Sequence, residues 1–432
     1  DDKGAVQLRQ IDKPDDASFS VLSNVVFLRL RSPYTAAGKT YPAGALLALD
    51  FDKFLASSRA FTMVFEPSPR TSYGYISATK NYFLLNTLEN AASHVYLLKG
   101  EKEKFAGREI TGKQYKYSQV SAWGVDSDEN DDYFMTVESF LTPTTLYLCN
   151  AAQEATEKLK SQPQFFPSDN LEVRQFEARS KDGTMVPYFL VAEKNLELNG
   201  QNPTLLYGYG GFEVAMTPGY RALTGSAWLA KGGVYVLANI RGGGEFGPTW
   251  HEAARKENRQ KAYDDFIAVA EDLIKRKITT REHLGIEGGS NGGLLMGVMF
   301  TQRPDLFGAV VCGSPLLDMK RYKHLLAGAS WMDEYGDPDK PEEWAYISKY
   351  SPYQNLKAEA EYPPILITTS TLDDRVHPGH ARKFAARLKE LGHQVWYYEN
   401  IEGGHSAAAN NKQTAYMKAL SFSFMWKALK GK

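Results

Sequence analysis

Cysteine is scarce in this chain: among 432 residues only Cys149 and Cys312 occur, which is too few for a disulfide framework. Cys312 lies in an apolar run and is most simply a buried apolar residue. A reducing cytosol is therefore the expected compartment. The chain begins at Asp1 without a methionine, so a removed leader, and with it a periplasmic or secreted location, stays open.

The chain also lacks an excess of charge of either sign. The chain has 50 Lys and Arg against 51 Asp and Glu, a net charge of −1, so it offers no basic field for nucleic acid. No apolar run reaches the roughly 18 residues that a membrane span needs, so no membrane association is predicted. The composition is that of a soluble globular enzyme, and the length predicts about two domains.

The most informative segment surrounds Ser290. An apolar run enters a Gly-x-Ser-x-Gly turn, and a helix-forming segment, residues 294–302, leaves it. Strand, tight turn and helix form the context in which such a serine becomes a nucleophile. Gly288 and Gly292 suit a strained backbone at which strand and helix pack closely. The competing interpretation is a plain glycine-rich turn, because the pattern also arises by chance.

Two further groups are needed for this chemistry, since serine is a weak nucleophile without a histidine to take its proton and a carboxylate to orient that histidine. An apolar strand at 364–370 ends just before Asp373 and Asp374. The next strand, 394–399, is followed by a glycine loop that carries His405. In open α/β sheets, reactive groups gather outside the carboxyl ends of the strands. Of eight histidines His405 best fits the chain order, whereas the residues alone do not separate Asp373 from Asp374.

A second glycine-rich loop, residues 207–212, follows an apolar strand at 203–206. Loops in this position supply an oxyanion donor in hydrolases of this architecture, and here the hydroxyl of Tyr209 is available. The backbone N–H of Asn291, at the start of the predicted helix, is the other candidate donor. The alternative is that the loop tyrosines simply pack in the core.

Five motifs in chain order carry a family resemblance. They are Tyr-Gly-Tyr-Gly-Gly-Phe at 207–212, Asn-Ile-Arg-Gly-Gly-Gly-Glu-Phe-Gly at 239–247, Gly-Gly-Ser-Asn-Gly-Gly at 288–293, Asp-Asp-Arg-Val at 373–376 and Gly-Gly-His at 403–405. Together they resemble the prolyl oligopeptidase family of serine peptidases, strongly over residues 165–432 and loosely before that.

The resemblance implies a role for each matching position. Ser290 corresponds to the nucleophile, Asp373 to the orienting acid and His405 to the general base. The hydroxyl of Tyr209 and the backbone amide of Asn291 correspond to the oxyanion hole. No metal or cofactor is implied.

The resemblance also implies a substrate pocket. Arg375 corresponds to the arginine that holds a backbone carbonyl, and Trp331 to the indole that stacks on a proline ring, a contact that suits a rigid pyrrolidine. Four further positions correspond to the pocket lining: Phe212, Leu316, Tyr335 and Val376. From the residues alone, Arg375 could instead pair with Asp374, and Trp331 could be a half-buried aromatic under a loop. His377 stands where an apolar residue is expected, so a broader oligopeptidase specificity stays open.

Strands alternating with helices predict that residues 165–432 form an α/β-hydrolase domain. Residues 1–160 show short β-rich runs separated by turns, a pattern typical of propeller blades. At about 40–50 residues each, about three blades fit, whereas propellers close with about four to eight and the family carries seven. The chain therefore resembles the C-terminal part of a longer protein. Either a companion chain carries the missing blades or the sequence is a truncation.

The predicted function is hydrolysis of short peptides on the carboxyl side of proline. Three alternatives stay open: a broader oligopeptidase or acylaminoacyl peptidase, an esterase of the same fold, and a binding protein with an inactive hydrolase domain. The acidic run 126–132 is not predicted to bind calcium, because the glycine and glutamate of a calcium loop are missing.

Overall fold

The computed structural model describes residues 10–101 and 104–429. The first part of the chain forms four-stranded antiparallel sheets that follow one another along the sequence. The elements of the first sheet region are β1 (Ser18–Leu22), β2 (Val25–Arg29), β3 (Tyr34–Ala36), β4 (Lys39–Tyr41), β5 (Leu46–Asp50), α1 (Phe51–Leu55) and β6 (Thr62–Phe65). The sheet order is β1-β2-β5-β6, and β3 and β4 form a separate ribbon.

Two further sheets of the same kind follow. Their strands are β7 (Thr71–Ala78), β8 (Phe83–Glu89), β9 (Ala92–Glu101), β10 (Lys104–Glu109), β11 (Ser118–Gly124), β12 (Asp132–Ser139), β13 (Thr145–Asn150) and β14 (Ala155–Ser161). Each sheet keeps its strands in sequence order, as the blades of a propeller do. The first and second sheets pack face to face: the ring centroids of Phe27 in β2 and Phe83 in β8 are 5.2 Å apart. The described residues of this part of the chain thus form three four-stranded sheets.

The rest of the chain folds around one eight-stranded sheet. Its strands are β15 (Leu171–Arg179), β16 (Met185–Glu193), β17 (Thr204–Tyr207), β18 (Val234–Ala238), β19 (Leu284–Gly289), β20 (Ala309–Gly313), β21 (Ile365–Ser370) and β22 (Trp396–Asn400). The order is β15-β16-β18-β17-β19-β20-β21-β22. Strand β16 is antiparallel to both its neighbours, and the strands from β18 onward are parallel.

Helices cover both faces of this sheet, as an α/β-hydrolase requires. They are α2 (Ala222–Ala227), α3 (Pro248–Glu252), α4 (Gln260–Lys275), α5 (Asn291–Gln302), α6 (Met332–Tyr335), α7 (Pro341–Ile347), α8 (Gly379–Glu390) and α9 (Asn411–Leu429). Helices α4, α5 and α8 contribute to the larger buried cluster, in which Ile286 of β19 lies. Helix α9 packs on the opposite face with Leu205 and Val311. Among the described residues no helix is both long and apolar enough to cross a bilayer.

The turn from β19 into α5 is tight. Ser290, its single connecting residue, has φ +59° and ψ −120°, a conformation that costs energy in a residue with a side chain. A Cβ atom on Gly288 would lie 2.5 Å from the carbonyl oxygen of Gly292, so glycine is required where strand and helix touch. A Cβ atom on Gly289 would meet nothing closer than 3.6 Å. The turn thus depends on glycine at Gly288 much more than at Gly289.

The second sheet contacts the hydrolase domain near a buried carboxyl group. The hydroxyl of Ser72 donates to the carbonyl oxygen of Glu245 at 2.9 Å, and the side chain of Glu245 is fully enclosed. Its Oε1 accepts from the N–H of Met216 at 2.9 Å, while Oε2 has no hydrogen-bond partner among the described residues. Burial raises the pKa of Glu245 to about 7, although hydrogen bonds from Met216 and Asn239 act in the opposite direction.

We expect Gly288→Ala to destabilise the protein by about 1–3 kcal/mol, because the added methyl group forces strand and helix apart. Gly289→Ala is the matched control, since the same methyl group has room there. Urea denaturation of both variants measures the difference. Equal midpoints for the two would contradict the packing argument.

We also expect Glu245→Gln to change the pH dependence of stability. The ordinary pKa of a glutamate is 4.5, and that of folded Glu245 is about 7. Between these values the folded protein holds a proton that the unfolded chain has lost, so raising the pH through this window destabilises the wild type. Glutamine has no proton to lose. The stability of the variant relative to wild type should therefore rise between pH 5 and pH 8, by up to about 3 kcal/mol. Denaturant titrations across this range check it, and a difference that stays constant with pH would contradict it.

Candidate active site

Three side chains from separate strand ends meet in one hydrogen-bonded chain. The Oγ of Ser290 lies 3.0 Å from Nε2 of His405. The Nδ1 of His405 lies 3.0 Å and 2.9 Å from the two carboxylate oxygens of Asp373. The arrangement has the connectivity of a nucleophile, a general base and an orienting acid.

Asp373 lies in the interior, and Asp374 faces solvent. The Oδ1 of Asp373 also accepts from the backbone N–H groups of Arg375 at 3.0 Å and Val376 at 2.9 Å, which fix the carboxylate in place. Because an ionised carboxylate can only accept, Nδ1 of His405 must carry the proton and Nε2 is left to accept from the serine hydroxyl. Of the two adjacent aspartates, it is Asp373 that contacts the imidazole of His405.

The loop that carries His405 is tied down by side chains at the ends of β21 and β22. The side-chain amide of Asn400 donates to the carbonyl oxygens of Glu402 at 2.6 Å and Ala407 at 2.7 Å. The hydroxyl of Ser370 donates to the carbonyl of Gly403. These bonds span the glycine-containing segment on both sides of the imidazole, so the loop is shaped by its neighbouring strand ends.

The two residues predicted to supply the oxyanion donors, Tyr209 and Asn291, are in direct contact. The side-chain amide of Asn291 donates to the carbonyl oxygen of Tyr209 at 2.6 Å, which ties the 207–212 loop to the start of α5. Asn291 is the first residue of that helix, so its own N–H has no acceptor within the helix. Burial raises the pKa of the Tyr209 hydroxyl, which therefore keeps its proton and can donate.

Behind Asn291 lies a buried polar network that the sequence does not predict. The Oδ1 of Asn291 accepts from Nη2 of Arg259 at 2.5 Å and from the hydroxyl of Tyr335 at 2.7 Å. Nη1 of Arg259 donates to Oε1 of Glu334 at 2.7 Å, and Nε2 of His251 lies 2.6 Å from Oε2 of Glu334. Arg259, Glu334 and His251 are all buried. Both the oxygen and the nitrogen of the Asn291 side chain are thus held by hydrogen bonds.

The charge of Glu334 is stabilised in this interior position. Burial alone would raise the pKa of its carboxyl group, but the hydrogen bond from His251 and the charge of Arg259 lower the pKa below its ordinary value. Glu334 therefore carries its negative charge at neutral pH. In the sequence, the only hint of a role for Glu334 is its position three residues after Trp331 and directly before Tyr335. No local pattern indicates that Arg259 belongs to the site.

The predicted substrate-binding residues divide into two groups. Trp331 and Phe212 are half-buried and Arg375 is exposed, so these three side chains are accessible to a ligand. Within the described residues no ion pair engages Arg375, and none links it to Asp374. The other three lie in the core, at no more than 2% exposed: Leu316, Tyr335 and Val376. The ring of Tyr335 supports that of Phe212 edge-on, with centroids 5.6 Å apart.

A cavity of about 260 Å³ reaches the nucleophile from the side of the histidine loop. Its lining includes Ser290 and His405, together with Tyr207 and the ion pair of Lys418 and Glu287. The predicted substrate-binding side chains are not among its lining residues. Within the described parts of the chain, no cluster of three or more His, Cys, Asp or Glu side chains could hold a metal ion.

Comparison with known proteins finds relatives along both parts of the chain. The profile described as "Prolyl oligopeptidase family" matches residues 221–432, and the one described as "Prolyl oligopeptidase, N-terminal beta-propeller domain" matches residues 34–162. An uncharacterized peptidase, y4nA of Sinorhizobium fredii, is 48% identical over 403 residues, which are 93% of this chain and 55% of that protein. The uncharacterized peptidase RP174 of Rickettsia prowazekii is 40% identical over 98% of this chain and 59% of its own length.

A solved structure, that of a post-proline cleaving enzyme from Rickettsia typhi, superposes with a TM-score of 0.93 at 38% identity and covers 100% of this chain and 63% of that one. The chain thus spans somewhat more than half the length of the proteins it matches. The matched regions carry an N-terminal β-propeller domain and a C-terminal α/β-hydrolase domain. The protein belongs to the prolyl oligopeptidase family.

Proposed function

We propose that this protein is a serine peptidase that cleaves short peptides on the carboxyl side of proline. The observation that carries the proposal is the hydrogen-bonded chain from Ser290 through His405 to Asp373, set on a strained turn in a protein of this family. The similarity to a post-proline cleaving enzyme supports the choice of proline.

In the first half of the proposed reaction, Oγ of Ser290 attacks the carbonyl carbon of the scissile peptide bond. Nε2 of His405 takes the hydroxyl proton, and the carboxylate of Asp373 stabilises the imidazolium that forms. The negative charge that develops on the substrate oxygen is held by the Tyr209 hydroxyl and the backbone N–H of Asn291. The imidazolium then gives its proton to the departing amine, which leaves an ester on Ser290.

In the second half, the same histidine takes a proton from water, and the resulting hydroxide attacks the ester carbonyl. A second tetrahedral intermediate uses the same oxyanion donors. Its collapse returns the proton to Ser290 and releases the new carboxylic acid. The proton transfers use Ser290, His405 and Asp373, which lie within hydrogen-bonding distance of one another.

Specificity in this proposal comes from the accessible side chains near the turn. The half-buried indole of Trp331 offers a flat face to a pyrrolidine ring, and the exposed guanidinium of Arg375 offers a donor to a backbone carbonyl. Phe212, held edge-on by the buried Tyr335, adds a second aromatic surface. A rigid ring loses little conformational freedom on binding, so such a pocket favours proline over flexible residues.

Ser290→Ala should lower kcat for a chromogenic proline peptide by roughly 10⁴–10⁶, because the nucleophile is lost while the fold is kept. The same variant should no longer react with a fluorophosphonate probe. Ser406→Ala is the matched control, because its exposed hydroxyl sits beside His405 and, among the described residues, donates only to the carbonyl of Ala408. Turnover or probe labelling that survives in Ser290→Ala would reject the assignment.

Trp331→Ala should reduce the preference for proline over alanine before the cleaved bond by about tenfold, the size of a lost aromatic stacking contact. Trp396→Ala serves as control, since that indole is 38% exposed and packs on Phe424 at the opposite end of β22 from the site. The ratio of kcat/KM values across a peptide panel measures the preference. An unchanged ratio in Trp331→Ala would move proline recognition elsewhere and favour a broader oligopeptidase.

A further inference from the structure

The first four-stranded sheet holds the hydrolase domain through two arginines. Arg29, the last residue of β2, donates to Oε1 of Glu213 at 2.6 Å. Arg31, two residues later, lies 3.2 Å from Oε2 of the same carboxylate and 3.1 Å from Nδ1 of His251. Glu213 directly follows Phe212, at the end of the loop that carries Tyr209. The contact therefore touches the hydrolase domain next to the proposed oxyanion hole.

The contact with Arg31 determines the proton position on His251. A guanidinium group can only donate, so Nδ1 of His251 must accept and the ring proton is on Nε2. That Nε2–H is the donor to Oε2 of Glu334 at 2.6 Å. The opposite tautomer would point an imidazole lone pair at a carboxylate oxygen, which is repulsive. The remaining charged neighbour, Glu252, has Oε1 3.5 Å from Arg31 and 3.8 Å from Nδ1 of His251.

From Glu334 the contacts continue, through Phe212 and Arg259, to the two residues that carry the proposed oxyanion donors. Its Oε1 accepts from the N–H of Phe212 at 3.0 Å and from Arg259 at 2.7 Å. Arg259 in turn donates to the side chain of Asn291, whose amide holds the carbonyl of Tyr209. A Cβ atom on Gly211 would lie 2.6 Å from the Asn291 amide nitrogen, so the backbone and these side chains are in close contact.

We propose that Arg31 is a positioning residue of the active site. The inference rests on the proposed function. Docking of the first sheet sets the tautomer of His251. Through Glu334 and Arg259, this contact holds Asn291 and Tyr209 in the positions from which they stabilise the oxyanion. The site is complete only when this sheet is seated on the hydrolase domain. Arg31 never touches the substrate; it acts through His251.

The test compares Arg31→Met with Arg255→Met. Arg255 lies on the same side and pairs with Glu252 at 2.8 Å and Asp333 at 3.3 Å, so its removal takes away the same charge without reaching His251. We expect Arg31→Met to lower kcat by about 10²-fold, the effect of a small misplacement in the site, with little change in KM and in melting temperature. Arg255→Met should keep the wild-type kcat.

Two variants of His251 test the route. Glutamine can place a donor where Nε2–H lies, so His251→Gln should retain much more activity than His251→Leu. In the His251→Leu background, adding Arg31→Met should cause no further loss, because both substitutions break the same chain of contacts. If instead Arg31→Met lowers kcat further in the His251→Leu background, Arg31 does not act through His251 and the inference is overturned.

A readout independent of turnover is the nitrogen NMR spectrum of the ring of His251. We expect a proton on Nε2 and a bare Nδ1 in the wild type, and loss of this single state in Arg31→Met. A wild-type proton on Nδ1, or an active protein in which Arg31→Met changes neither kcat nor the spectrum, would overturn the inference. Failure of the proposed function is distinguishable, since it appears in the wild type as no hydrolysis of proline peptides and no reaction of Ser290 with the probe.

Discussion

Parallel pairing of neighbouring strands is the constraint on which the candidate site depends. Strands β17, β19, β20, β21 and β22 run in one direction, so their carboxyl ends lie along one edge of the sheet. Ser290 and His405 are 115 positions apart in the chain, yet each follows the end of such a strand. The sheet therefore fixes the distance between nucleophile and base, and the loops only adjust it. The pairing of Gly289 with Gly313 keeps the edge free of side chains next to the turn.

The buried charges beside the site are not explained by stability. Arg259 and Glu334 form an ion pair in the interior, where the cost of removing water roughly cancels the attraction, and an apolar pair would serve as well. An apolar pair, however, could not form hydrogen bonds with the residues on either side of it. Glu334 receives one from His251, and Arg259 donates one to Asn291. Hydrogen bonds at both ends of the ion pair hold its side chains in one arrangement, although Nε of Arg259 has no hydrogen-bond partner among the described residues. A fixed arrangement is what an oxyanion hole needs.

Local patterns in the sequence predict the parts of this structure that are decided locally. Alternating burial makes β12 recognisable, whereas β14 (Ala155–Ser161) lies at a sheet edge and is exposed at every residue, so no apolar pattern marks it. The choice between Asp373 and Asp374 depends on how the following backbone turns, which spacing does not reveal. Arg259 and Glu334 meet across 75 positions, and such a contact leaves no trace in either segment.

Two histidines in this protein hold opposite tautomers, and each is dictated by a neighbour with only one hydrogen-bonding role. Asp373 can only accept, so it draws the proton of His405 to Nδ1 and frees Nε2 for the serine. Arg31 can only donate, so it leaves the proton of His251 on Nε2, directed at Glu334. Exchanging these neighbours for neutral polar residues would allow both ring states in both places. Fixed charges at the two Nδ1 atoms therefore specify which ring nitrogen carries the proton in each histidine. One charge comes from within the hydrolase domain and the other from the sheet that docks against it.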